Sequence, residues 1–271
     1  MNLISHSSPQ HHFIPYLDGV VHWQEWGQGQ PLVLLHGGHG SADHWIKNSQ
    51  ELAKQYRVLV PDMPGFGQSG VWGSNTIEDL LAPLKSSLEN LIGQNIPFYL
   101  IGFSFGSLIA VHLANANQSV KKMALLGPVG HGGVRRPKGE IINWKPAYKS
   151  GDQAELNRIM RANLALHMLS MDERIDDLAL KIHTDACIAT RFRSRDISRA
   201  GGMQDQLSQY KGDLLFIWGE HDVTSFPELI SKELSHLCPQ ALIKIIPDAG
   251  HWVQYEAASE VNSILIEWLS H

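Results

Sequence analysis

Pro97-Phe98-Tyr99-Leu100-Ile101-Gly102-Phe103-Ser104-Phe105-Gly106-Ser107 is the stretch around which this chain is organised. The aromatic and aliphatic run up to Ile101 reads as a short buried strand, and the Leu, Ile, Ala and Val content from Ser107 to Ala116 reads as a helix. Between them, Gly102 and Gly106 stand two residues to either side of Ser104. A serine displayed on so sharp a strand-to-helix turn sits in strained backbone, so its neighbours two positions away must lack bulk. Ser104 is therefore a candidate nucleophile. The plainer alternative is a turn serine, and partners elsewhere in the chain must decide between the two.

The 271 residues suit one large α/β domain, or one domain carrying an insertion. With 43% hydrophobic and 18% charged residues, the composition is that of a folded enzyme rather than a disordered chain. A formal charge of -5 offers no broad basic surface, which argues against nucleic acid as a partner. Cys187 and Cys238 are too few for a disulfide scaffold and lie in no metal-ligand spacing. Met1 to Gln10 is polar and does not resemble a secretory signal, and no run approaches the roughly 18 apolar residues of a membrane span. The expectation is a cytoplasmic protein acting on a small-molecule substrate, with self-association as a homodimer left open.

Phe13 to Trp26 alternates around Asp18-Gly19 as an edge hairpin. Pro31 to Leu35 is a strand running into His36-Gly37-Gly38-His39-Gly40. Glycines after a strand let backbone N–H groups face a cavity, as an oxyanion hole or a phosphate loop requires. The phosphate reading fails, because neither a Lys-Ser or Lys-Thr pair nor the Gly-x-Gly-x-x-Gly spacing is present. His36, His39 and His44 lack a metal-binding pattern, so neither metal nor cofactor is expected, and His36 is read as ordering its own loop.

Trp45 to Gln55 reads as a short helix and Tyr56 to Val60 as a strand. The Pro- and Gly-dense loop from Pro61 to Ser69 follows, with Asp62 bracing the turn. Asn75-Thr76 caps a helix whose apolar positions run from Leu80 to Ile92. This βαβ alternation implies a mostly parallel central sheet with helices on both faces. After the strand Lys122 to Leu126 the pattern breaks, with helices over Asp152 to Leu169 and Asp172 to Thr190 and positive charge at Arg191, Arg193, Arg195 and Arg199. Most of these arginines read as a solvated face, with one able to meet a substrate carboxylate. Residues 129–210 thus form a helical cap over a core of 1–128 and 211–271. Strands return at Asp213 to Trp218 and Ala241 to Ile246, leading into Gly219-Glu220-His221-Asp222 and Pro247-Asp248-Ala249-Gly250-His251. The last helix runs from Ala257 to Leu269.

Ser104, Asp222 and His251 lie in the order serine, acid, histidine, each just after a strand. In this the chain resembles the α/β-hydrolase family, whose triad runs in that order. The resemblance extends from His36-Gly37-Gly38 to Gly250-His251. It implies Ser104 as nucleophile, His251 as general base and acid, Asp222 as orienting acid, and the Gly38 and Phe105 N–H groups as oxyanion donors. Glu220 and Asp248 are the rival acids. A serine at the elbow sets aside the family branches that use aspartate there.

His251-Trp252-Val253-Gln254-Tyr255-Glu256 and the glycine loop with Trp45 are similar to the meta-cleavage-product hydrolases, which split a carbon-carbon bond. That likeness is partial, since His39 and Gly40 replace a further Gly and Pro of the family. It implies a cap arginine for the substrate acid. His183 falls there with Arg191 close by, and Trp252 is the third candidate substrate contact. The function read from these residues is a serine hydrolase of small carboxylic esters or related acyl compounds. The alternatives are carbon-carbon hydrolysis, acyl transfer and a non-catalytic receptor on the same fold.

Overall fold

A computed structural model describes residues 8–271, so the polar start at residues 1–7 lies outside the described residues. The strands β1 Gln10–Tyr16, β2 Gly19–Trp26, β3 Gln30–Leu35, β4 Tyr56–Pro61, β5 Phe98–Phe103, β6 Val120–Leu126, β7 Asp213–Gly219 and β8 Leu242–Ile246 make one sheet in the order β1-β2-β4-β3-β5-β6-β7-β8. The β1–β2 and β2–β4 pairings are antiparallel, and every pairing from β4 to β8 is parallel. The helices α1 Ser49–Leu52, α2 Ile77–Ile92 and α3 Phe105–Asn115 alternate with the strands. Between β6 and β7 lie α4 Lys145–Ser150, α5 Gln153–His167, α6 Asp177–Ala189, α7 Ser194–Arg199 and α8 Met203–Leu207, with no strand among them. The helix α9 Pro227–Leu237 joins β7 to β8, and α10 Val253–Glu256 and α11 Ala258–Ser270 end the chain.

β5 lies between β3 and β6, and its alternation divides the core. Phe98 and Leu100 point into one apolar layer with Leu80, Leu84 and Leu88 of α2 and Leu108 of α3. Ile101 and Phe103 point into the other, with Trp45 and with Val261 and Leu265 of α11. Each of these side chains is all but fully buried, and burying one contributes roughly 1.5–3 kcal/mol. A strand covered on both faces can afford no polar residue until it reaches its end. Chemistry is therefore confined to the carboxyl ends of the strands, where β5 delivers Ser104.

The start of α2 follows the capping pattern: Thr76 Oγ1 accepts the Asp79 N–H at 3.2 Å, and Asp79 Oδ2 accepts the Thr76 N–H at 3.0 Å. Two expectations need correction. The helix read over Trp45 to Gln55 is a 3₁₀ turn, Ala42–Trp45, followed by the short α1. Asn48 separates them because its amide donates to Gln254 O at 3.0 Å and Asn262 Oδ1 at 2.8 Å, tying this loop to the last helices. The helix read from Asp172 begins at Asp177. Asp176 is its N-cap, accepting the Ala179 N–H at 2.7 Å, while Asp172–Arg174 forms a separate 3₁₀ turn.

Candidate active site

Ser104 adopts φ 53° and ψ −116°, between the end of β5 and the first residue of α3. A Cβ on Gly102 would overlap the Gly106 carbonyl, and one on Gly106 would overlap the His36 carbonyl and lie 2.5 Å from Leu35 O. The two glycines are thus required by the turn and by the approach of α3 to β3. Ser104 N–H donates to Leu126 O at 2.8 Å, and Ser107 Oγ donates to Gly102 O at 2.7 Å. These bonds tie the elbow to β6 and close its own turn, so the strained residue is held from both sides.

Ser104 Oγ lies 2.9 Å from His251 Nε2, and His251 Nδ1 lies 2.9 Å from Asp222 Oδ2. Asp222 is fully buried and His251 is 2% exposed. Burial alone would raise the Asp222 pKa. The His251 charge, the His251 hydrogen bond and those from the Thr224 hydroxyl and N–H outweigh burial and hold the carboxyl below its ordinary value. Both Thr224 donors reach Oδ1 at 2.7 Å, leaving Oδ2 for the histidine. An ionised Asp222 accepts from Nδ1–H, which turns the Nε2 lone pair toward the Ser104 hydroxyl.

Beside this line, the N–H groups of Gly38 and Phe105 donate to no acceptor among the described residues. Phe105 opens α3, so its N–H belongs to the positive end of a helix of 11 residues. Gly38 abuts Ser194 at the start of α7 and the Phe105 side chain. The loop carrying Gly38 is braced by His36, whose Nε2 accepts Met63 N–H at 2.9 Å while Nδ1–H donates to Gly37 O at 2.8 Å. Burial pushes His36 down to about 4, consistent with that neutral tautomer. Asp62 braces the neighbouring loop, accepting Ala42 N–H at 2.8 Å and Gln68 N–H at 2.9 Å, with His22 Nδ1 at 2.8 Å.

Glu220 and Asp248 are exposed, and Glu220 Oε2 accepts the Asp248 N–H at 3.1 Å. With His221 they are the one group among the described residues whose ligand atoms approach within 4.8 Å as a metal set requires, and all three face solvent. The Arg191 guanidinium donates to the Ser69 and Gly67 carbonyls, so it ties the segment between α6 and α7 to the loop after β4. Trp252 follows His251 directly in the chain. It is fully buried, stacked on Tyr255 at 4.2 Å, and its indole N–H donates to His44 O at 3.1 Å. His183 touches Cys187 Sγ at 3.8 Å and feels the charge of His39 in the glycine loop, and burial pushes it down to about 4.

Three contributors were not read from the sequence. Thr224 binds the acid, and its place two residues after Asp222 is the signal of a side-chain turn. His167 packs edge-on to the His251 ring at 5.6 Å, and burial pushes it down to about 3. Gly127, at φ 47°, lies where a Cβ would be 2.9 Å from Asp222 Oδ2 and 3.0 Å from His251 Nδ1.

A mostly parallel eight-stranded sheet with an elbow serine against a histidine and a buried acid defines the class of α/β hydrolases. The model of the alpha/beta hydrolase fold matches residues 30–172, and the chain belongs to that family. It is 28% identical over 265 residues to the dihydrolipoyllysine-residue acetyltransferase component of an acetoin cleaving system from Pseudomonas putida, covering 92% of this chain but 66% of that protein. The chain thus spans slightly less than two thirds of that relative. A 2-hydroxy-6-oxononadienedioate/2-hydroxy-6-oxononatrienedioate hydrolase of Pseudomonas putida is 26% identical over 282 residues, 94% of this chain and 93% of that one. Among solved structures, naproxen esterase (carboxylesterase NP) from Bacillus subtilis superposes with a TM-score of 0.78 at 21% identity, covering 96% of this chain and 91% of that one. Among the described residues, no helix is long and apolar enough to cross a membrane.

Proposed function

We propose that the protein is a serine hydrolase of small carboxylic esters or related acyl compounds. The observation that carries this reading is the line Ser104 Oγ to His251 Nε2 to Asp222 Oδ2, two contacts of 2.9 Å each, built into a buried strand-end site. In this reading Oγ attacks the acyl carbon as its proton passes to Nε2, and Asp222 stabilises the imidazolium that results. The tetrahedral oxyanion is met by the Gly38 and Phe105 N–H groups. His251 then protonates the leaving group, and water, deprotonated by the same nitrogen, releases the acid. The helices of residues 129–210 act as the cap that limits water at this site.

Carbon-carbon hydrolysis is the second reading, favoured by the relative named for that dienedioate chemistry and covered over 93% of its length. It calls for a cation to hold the substrate acid. With Arg191 bound to backbone carbonyls and His183 neutral near pH 7, neither residue supplies that charge. The ester reading is preferred because the line from Ser104 through His251 to Asp222 carries it without a cation. Steady-state kcat/KM for a p-nitrophenyl ester series beside a 2-hydroxy-6-oxo-dienoate tests it. Ester turnover that dominates agrees with the proposal, and a dienoate preference of orders of magnitude overturns it.

A further inference from the structure

The loop that leaves β6 both begins and ends at the acid of the site. Gly127 lies against Asp222 and His251, and Arg136 Nε donates to Asp222 O at 2.8 Å. Between these points, Gly130, His131, Gly132, Gly133 and Arg135 line a cavity of about 190 Å³ whose opposite wall is Ser198 and Arg199 of α7. Gly130 N–H donates to Ser198 O at 3.1 Å, which fixes α7 against the loop. Arg135 is held partly inside the protein, where burial and then the neighbouring Arg199 disfavour its charge. The carboxylate acting on it, Asp222, is already occupied by His251 and Thr224. Neither Arg135 nor Arg199 has a hydrogen-bond or ion-pair partner among the described residues. His131 is 6% exposed, and its Nδ1 accepts the Gly133 N–H at 2.9 Å. The ring proton is thereby placed on Nε2, with the Pro128 carbonyl close enough to act on the ring.

Two guanidinium groups that repel one another across a small cavity, with no acid between them, are a receptor for an oxyanion. The helix that carries Arg199 also reaches the glycine loop of the site. Ser194 abuts Gly38 of the oxyanion loop, and Arg199 is five residues further along α7, a rise of about 7.5 Å at 1.5 Å per residue.

We propose that this cavity is a carboxylate subsite formed by Arg135 and Arg199, so that the preferred substrates are esters bearing a second, ionised acid, such as the half-ester of a dicarboxylic acid. Its use in turnover rests on the acyl-hydrolase reading above; binding of the anion does not. The experiment has two arms. In the first, kcat/KM is measured for monomethyl and dimethyl adipate with wild-type, Arg135→Gln, Arg199→Gln and Arg135→Lys proteins. Wild type is expected to favour the half-ester at least tenfold. Each Gln variant should cut that ratio by tenfold or more, chiefly through KM, and Arg135→Lys should keep part of it. In the second, monomethyl adipate is titrated calorimetrically into Ser104→Ala protein and into the same protein carrying Arg135→Gln or, as a control, Lys54→Gln. Binding lost with Arg135→Gln and kept with Lys54→Gln supports the subsite even if no ester is turned over, an outcome that would sink the acyl reading alone. Ester turnover with no half-ester preference, or equal binding by all three titrated proteins, overturns the subsite and leaves the acyl reading standing.

Discussion

At the scale of single residues, the site depends on which of three nearby carboxylates serves His251. Glu220 and Asp248 are solvated, whereas Asp222 is enclosed and receives two hydrogen bonds from Thr224 in addition to that of the histidine. Asp222→Asn removes the acceptor that sets the tautomer, so kcat should fall on the order of 10³ to 10⁴ while the fold is retained. Stopped-flow ester hydrolysis measures it, and an unimpaired variant would transfer the role elsewhere. The sequence made Ser104, Asp222 and His251 readable because each follows a strand whose apolar run ends abruptly. The packing of Trp252 was not legible in the same way. Adjacent residues point in different directions, and the neighbour of His251 turns its ring to Tyr255 and His44 instead of to the serine. Arg191 is a similar case: its partners, the Gly67 and Ser69 carbonyls, are more than 120 positions away in the chain. Nothing local announces them.

At the scale of elements, the elbow is a contact between α3 and β3 as much as a turn. Gly106 has space for hydrogen alone, because backbone carbonyls of Leu35 and His36 occupy the position a methyl group would take. Gly106→Ala must push α3 from the sheet, at a cost of about 1–3 kcal/mol, with Ser104 displaced from His251. Thermal unfolding and ester turnover should therefore both fall, and a variant with wild-type Tm and rate would contradict the packing account. Strands and their helices on either side of β5 are legible because period-two and period-3.6 patterns switch cleanly there. The cap is less so. Asp172, Asp176 and Asp177 all offer helix-start chemistry within six residues, and only the fold selects Asp176, whose Oδ1 also receives the Tyr255 hydroxyl at 2.5 Å.

At the scale of the whole molecule, the chain encloses many of its histidines in neutral form. Burial pushes His36 and His183 down to about 4 and His167 to about 3, and lowers His44 as well. In the unfolded chain these groups return to about 6.5. Below that value the unfolded state binds more protons, so stability is fully present above pH 6.5 and is lost as pH falls toward 4. The fully buried His36 alone steepens the loss by up to about 1.4 kcal/mol per pH unit. Urea unfolding at pH 7.5 and pH 5 should show a marked fall in stability on acidification, and equal values would contradict neutral burial. The neutrality of these rings also shapes the site. His167 stands against His251 and His183 is coupled to the glycine loop, so fixed positive charge near Asp222 comes from Arg136 on its carbonyl and from Arg135, with Arg199 beside it.

The proposed chemistry stands or falls with Ser104 as the activated nucleophile. Reaction with a fluorophosphonate, read by peptide mass spectrometry alongside residual ester turnover, tests it most directly. One adduct is expected, on the peptide carrying Ser104, with turnover lost in proportion to labelling and neither adduct nor turnover in Ser104→Ala. Labelling of another residue, or ester hydrolysis at near wild-type rate in Ser104→Ala, would contradict it.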